Sequence, residues 1–223
     1  LNSIAAQDVP RLALPGAEDR RVTLNYDEYH EEHGEPGGLT RAVAEREGRD
    51  RTLRFHDRFR LERYFGTLMY EQNFSEADRL EFRTFGGHYR RYSKRQNSGG
   101  FGTTPTGTTN AIQEQDFYTL GFEPRFRHTY DAFGQSDHVL STGLLAYFSE
   151  SPIEHQTGAT PGADSGALTS RLERSMQYLS LFAEHRFHVG RLSVVPGVRL
   201  EHLLDVDGPL QKVSGLGGIS RRP

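Results

Sequence analysis

The chain has 223 residues with 27 basic against 30 acidic side chains, a net charge of −3 that disfavours nucleic-acid binding driven by bulk charge. It contains no cysteine, which excludes disulfide frameworks, thiol catalysis and cysteine-ligated metal centres. Mean hydropathy is −0.68 and no run approaches the roughly 18 apolar residues of a membrane helix, so a helical membrane protein is excluded; a membrane β-barrel is not, because only alternate strand residues face lipid.

The chain opens at Leu1 without a Met or a basic–apolar leader and ends at Arg221-Arg222-Pro223, and it reads as a mature fragment or a piece of something longer. Alternation of apolar and polar residues then predicts seven strands. Val22, Leu24 and Tyr26 mark the first, over 20–30, and Tyr64, Leu68 and Tyr70 the second, over 58–72. Leu80 and Phe82 alternate with Glu81 and Arg83 in a third over 79–92. In the fourth, over 115–130, Tyr118, Leu120, Phe122 and Phe126 oppose Thr119, Glu123, Arg125 and Arg127. Leu140, Leu144, Ala146 and Phe148 define 137–149; Leu179, Leu181, Ala183 and Phe187 define 176–188; Leu192, Val194, Val198 and Leu200 define 191–203. Pro124 and Pro196 fall inside strong strands, so each requires a bulge or a missing ladder bond.

Connections alternate in length. Asn73 to Asp78, Asp131 to Ser136 and His188 to Arg191 are short turns, whereas Glu31 to Asp57, Ser93 to Glu114 and Glu150 to Ser175 each exceed twenty residues. Outer-membrane barrels place short turns on the periplasmic side and long loops outside, and a membrane-crossing strand needs about 9–11 residues, which several of these runs reach. A soluble β-sandwich with long insertions is the competing architecture. Strands of like direction recur at spacings of 57 and 61 residues. At that spacing a 22-stranded barrel would occupy roughly 650 residues. An open seven-stranded sheet in a bilayer would leave two unpaired edges. The fold expectation is therefore all-β: an antiparallel up-and-down transmembrane β-barrel segment, about seven strands of a 22-stranded barrel.

Several short stretches, in order, carry a family resemblance. Tyr26-Asp27-Glu28-Tyr29-His30-Glu31-Glu32-His33-Gly34-Glu35-Pro36-Gly37-Gly38-Leu39-Thr40 is similar to a strand-to-loop passage of TonB-dependent outer-membrane receptors of the ferric dicitrate type. Asp57-Arg58-Phe59, Arg63-Tyr64-Phe65, His88-Tyr89-Arg90-Arg91-Tyr92-Ser93-Lys94-Arg95-Gln96 and Gly121-Phe122-Glu123-Pro124-Arg125-Phe126 resemble successive barrel strands of that group. Phe182-Ala183-Glu184 followed by Val195-Pro196-Gly197-Val198-Arg199-Leu200-Glu201-His202 resembles a hairpin of the wider superfamily. The resemblance implies that residues 1–223 are a fragment of a receptor barrel, with the plug domain and the C-terminal strands absent. It further implies active uptake of a ferric chelate such as ferric citrate, coupling through the missing plug to the TonB–ExbB–ExbD complex, a setting in outer-membrane lipid and lipopolysaccharide, and no protein cofactor. A passive porin or structural barrel, a receptor for another siderophore, cobalamin or a sugar, and a soluble secreted β-domain are the alternatives.

The densest basic cluster, Arg90, Arg91, Lys94 and Arg95 with Gln96, lies at the top of a strand. Guanidinium forks match carboxylates, so Arg90, Arg91, Arg95 and Gln96 are the candidate contacts to an anionic chelate; lipopolysaccharide phosphates or solvent are the competing partners. Arg49, Arg51, Arg54 and Arg58, interrupted by Asp50 and Asp57, read as a loop-stem charge network. His30-Glu31-Glu32-His33 lacks the spacing of a helical zinc site and reads as a solvated loop. No serine sits in a nucleophile-elbow context, and Gly99-Gly100-Phe101-Gly102 and Gly215-Leu216-Gly217-Gly218 lack the lysine of a phosphate loop. The reading is of a non-enzyme.

Overall fold

Residues 11–12, 19–35, 37–204 and 211–212 are described by a computed structural model. Gly215 to Gly218 lie outside the described residues. The elements run β1 (Arg11–Leu12), β2 (Arg20–Gly34), α1 (Arg41–Glu47), β3 (Arg58–Asn73), β4 (Asp78–Gln96), β5 (Asn110–Ala132), β6 (Gln135–Glu150), β7 (Ile153–Gly158), β8 (Ala167–Leu172), β9 (Ser175–Val189), β10 (Leu192–Val194), β11 (Gly197–Leu204) and β12 (Gln211–Lys212). Every pairing is antiparallel, each long strand beside its sequence neighbour, and among the described residues the sheet stays open.

All seven expected strands are present, several of them longer than the alternation alone indicated. β4 reaches Gln96 and β5 begins at Asn110, because their polar upper halves remain in one unbroken ladder from Asp78↔His128 to Gln96↔Asn110. His30 to His33, expected in a loop, belong to β2, whose pairing with β3 continues to Gly34↔Arg58. Two long connections contain structure that the hydrophobic period did not reveal. Between β2 and β3 lies α1, one short helix capped by Thr40, whose Oγ1 accepts from the Val43 N–H at 3.3 Å, and stopped at Gly48 with φ of 91°. Between β6 and β9 rises a ribbon, β7 with β8, that continues the ladder of β5 past Pro152.

The two internal prolines take different solutions. At Pro124 the β5–β6 partners step from Phe122↔Ala146 to Arg125↔Gly143 without a change of register, so the ladder omits two pairs; the irregularity of β5 lies lower, between Tyr130 and Ala132. Pro196 instead divides the last predicted strand into β10 and β11, both paired to β9.

One phase holds from strand to strand. Leu24 faces Leu68, Tyr70 faces Phe82, Leu120 faces Phe148, Ala146 faces Leu179 and Leu181 faces Leu200, so a single face of the sheet carries the apolar residues. This apolar face is bare: Leu120 is 59% exposed and Leu200 65%, while the buried apolar side chains are Tyr92, Ile112, Val139 and Ile153. A sandwich would cover such a face with a second sheet; a membrane barrel turns it to lipid. Aromatic and imidazole rings bound the band, with Tyr64, His88 and Tyr118 toward the long loops and His128, Tyr130 and His138 toward the short turns. The opposite, polar face carries Arg63, Arg83, Arg125, Asp27 and Glu123.

Leu120→Arg is expected to lower folding stability in phospholipid vesicles by about 2–4 kcal/mol, while Thr119→Arg, one residue away on the polar face, is expected to be nearly neutral. Urea titration of heat-modifiable gel migration separates them, and equal losses would contradict the assignment of faces.

Candidate functional site

Strand alternation divides the predicted basic cluster. Arg90 and Gln96 stand on the apolar-face side of β4, and Arg91 and Arg95 on the polar side, so the four do not form one binding cluster. Arg90 lies above the apolar band and donates to Glu114 at 2.9 Å, with Asp116 at 4.0 Å. Gln96 is tied into the loop after β4: its side-chain amide donates to the Gly107 carbonyl at 2.7 Å and its backbone N–H to Asp57 Oδ1 at 2.8 Å. Arg95 grips Glu35 with two bonds, of 2.7 and 3.0 Å, which hold the Glu35 carboxyl below its usual range.

Arg91 is different. Its guanidinium lies over the Phe59 ring at 5.6 Å, and among the described residues it has no hydrogen-bond or ion-pair partner. Phe59 is also stacked by His33 at 5.2 Å. Tyr89 and Phe117, with ring centroids 5.1 Å apart, and Arg63, over Phe65 at 5.3 Å, extend this surface along the polar face. Among the described residues the upper wall is thus an aromatic platform with one free guanidinium edge. Charge density along the chain does not mark Phe59, Tyr89 and Phe117 as site residues; the signal that unites them is their place at alternate positions of β3, β4 and β5 on one face.

Lower on the polar face a motif recurs. Gly87, Gly121 and Gly143 each lie opposite an aromatic side chain on the neighbouring strand: Phe65, Phe85 and Phe182. A Cβ at Gly143 would meet the Phe182 ring at 2.7 Å, and one at Gly121 would strike the Phe85 ring, so the rings fill the space the glycines vacate. Each ring in turn supports a guanidinium: Arg63 on Phe65, Arg83 on Phe85 at 5.4 Å, and Arg125 on Phe182 at 5.9 Å. Arg83 and Arg125 both donate to Glu123, which is only 8% exposed.

The loops above are packed through polar anchors. Asp57, 1% exposed, accepts from Gln96 N–H and from Arg54 at 3.1 Å; Arg58 donates to the Phe55 and Asp57 carbonyls, and Arg51 pairs with Glu47 at 3.1 Å, so Arg51, Arg54, Arg58 and Asp57 of the expected loop-stem network are engaged, while Arg49 and Asp50 have no hydrogen-bond or ion-pair partner among the described residues. The tip between β7 and β8 is tied back over β4 and β5. Lys94 donates to Asp164 at 2.5 Å and to the Gly162 carbonyl at 3.0 Å, while buried Asn110 donates to the Pro161 and Ala163 carbonyls and accepts from the Gly158 N–H. Burial pushes the Tyr92 hydroxyl beside it up to about 12, and the Lys94 ammonium lowers the Asp164 carboxyl. His30 pairs with Glu28 at 2.6 Å and His33 with Glu31 at 3.3 Å, on opposite faces, which separates the imidazoles of that motif.

Asp57→Ala strands the Gln96 N–H and the Arg54 guanidinium and is expected to cost about 1–3 kcal/mol, read by urea titration. The Asp164 carboxyl is held below its ordinary 3.8, so the contribution of its pair is complete above pH 3.8 and is lost as pH falls through the lowered value. Amide exchange at Gly158, corrected for intrinsic rates, is expected to accelerate over that range, and in Asp164→Asn to be fast already at pH 7.

The profile of the family described as TonB dependent receptor-like, beta-barrel matches residues 11–208. No curated protein matches the sequence. Among solved structures, the unliganded ferric citrate transporter FecA shares the fold, with a TM-score of 0.71 and 19% identity over 85% of this chain and 28% of its own. The chain thus spans 28% of that transporter's length. Open antiparallel sheet, bare apolar face, alternating connections and family match agree: the chain belongs to the TonB-dependent receptor-like β-barrel family, an outer-membrane family of bacteria.

Proposed function

We propose that this chain is a stretch of the barrel wall of an outer-membrane receptor that takes up an anionic ferric chelate of the citrate type by TonB-dependent active transport. In this reading residues 1–223 belong to a larger barrel whose plug and remaining strands lie elsewhere in the protein, and the plug connects to the TonB–ExbB–ExbD complex. The apolar face meets outer-membrane lipid, Arg90 and its acidic partners meet the lipopolysaccharide layer, and the polar face lines the lumen.

Arg91 carries the proposal. A guanidinium that is desolvated on one side by Phe59 and unpaired along its edge is prepared to receive a carboxylate through two parallel charge-assisted hydrogen bonds. Arg95, further up the same face, is occupied by Glu35 and acts first to anchor the loop after β2. The ferric ion enters as cargo within its chelate, and the wall supplies anion recognition. FecA, similar in fold, is described as a ferric citrate transporter, which supports this substrate class.

Arg91→Ala is expected to weaken binding of ferric citrate to the full-length protein by about 10- to 100-fold, the equivalent of about 1.5–3 kcal/mol for a lost charge-assisted contact. Arg90→Ala, on the lipid side, is expected to leave it within about twofold. Titration calorimetry in detergent reads both; an unchanged affinity in Arg91→Ala, or substrate-independent conductance in planar bilayers, would overturn the proposal.

A further inference from the structure

The geometry points to a second anion-binding subsite on the polar wall, at the end nearest the short turns, where a carboxylate of the transported chelate rests before it leaves the barrel. It rests on the proposed passage of the chelate through the lumen. The site is a hollow whose lining includes the cations Arg79, Arg125 and Arg127, the carboxylates Glu81 and Glu184, and Ser141 and Phe182.

Four of these stand in one row across neighbouring strands, Arg79 beside Arg127, Arg127 beside Ser141, and Ser141 beside Glu184. Arg79 and Arg127 are directly opposite, an arrangement that repels unless negative charge intervenes. Arg79 finds it in Glu71 and Glu81. Arg127 does not: among the described residues its side chain has no hydrogen-bond or ion-pair partner, and neither has the Ser141 hydroxyl next to it. Arg125, over the Phe182 ring, walls the hollow from above but is committed to Glu123. One row closer to the turns, Arg186 faces the same side with a buried Nε that lacks an acceptor.

The hollow thus combines a free guanidinium fork, a free hydroxyl and a ring floor, the donor set for one carboxylate. Its capacity is limited by two lining carboxylates: Glu81, paired with Arg79 at 3.7 Å, and Glu184, which among the described residues has no hydrogen-bond or ion-pair partner and lies two strands from Arg127, roughly 10 Å away at the usual strand spacing. The Glu184 carboxylate repels an anion from the far side, so the hollow holds one carboxylate and not two. Among the described residues, free cations then stand at both ends of the wall, Arg91 above and Arg127 below, whereas Arg83 and Arg125 between them share the one carboxylate of Glu123. An anion released from Arg91 then meets Arg63, Arg83 and Arg125, each already bonded to a carboxylate, before Arg127.

Phenylglyoxal modification of Arg127 in the purified full-length protein, followed by peptide mass spectrometry, tests this directly with iron-free citrate as probe and acetate as a weaker one. Citrate at about twice its dissociation constant is expected to slow modification about threefold, and Ser141→Ala to raise the concentration required. A rate indifferent to citrate overturns the subsite. So does an Arg127 that is unreactive without any anion, since another segment of the full-length protein would then already cover it. Citrate protection in a protein that takes up no ferric chelate sinks the transport reading and keeps the subsite; uptake without protection does the reverse.

Discussion

Backbone hydrogen bonds in the sheet lock neighbouring strands so that side chains of one face always meet, and this single phase relation orders everything else on the molecule. From β2 through β6 the even-numbered residues share the apolar face, and the longest pairing, β4 with β5, runs unbroken from Asp78 to Gln96. Slipping any one strand by a residue would turn its arginines to the apolar side and its leucines to the polar side. In hydrocarbon no water could satisfy the exposed groups, so the penalty for such a slip is far larger than in a half-solvated sheet. The phase is therefore enforced from both faces at once.

Within that frame the polar wall is built to keep cations flat and close to the backbone. Glycine on one strand admits the ring of a phenylalanine on the next, and the ring presents its face to an arginine, as in Gly87, Phe65 and Arg63. The guanidinium loses rotameric freedom in advance, which lowers the entropy that an incoming anion must overcome. It also keeps the wall thin, so positive charge is distributed without long side chains filling the space in front of it. Glu123 shows the same economy from the other side, one carboxylate serving both Arg83 and Arg125.

Hydrophobic alternation made the seven long strands and the apolar face legible, because it reports burial against lipid over a period that every strand repeats. It failed where no apolar face is repeated. The upper halves of β4 and β5 bury polar side chains such as Ser93, Lys94, Asn110 and Gln115 and show no alternation of apolar with polar residues, and α1 buries none of its residues and leaves no apolar stripe. The candidate site was legible in composition but not in geometry. Arg90 and Arg91 are neighbours in the chain and occupy opposite sides of the wall, and Phe59 reaches Arg91 across strands. Arg127 was visible only as a polar position of its strand, since what distinguishes it is the lack of a partner, which a sequence does not display.

The length of β5 has a further consequence. Its 23 residues span roughly 75 Å along the strand, well beyond an apolar band about 25 Å tall even when tilted, and β7 and β8 brace the excess as a ribbon. Asn110 and Lys94 pin the tip of that ribbon, so it stands as a stiff post above the membrane surface. Antibodies raised against peptides of residues 154–166 would therefore meet in the folded protein an epitope of fixed shape, and selection of binders against the folded protein should outperform immunisation with the linear peptide.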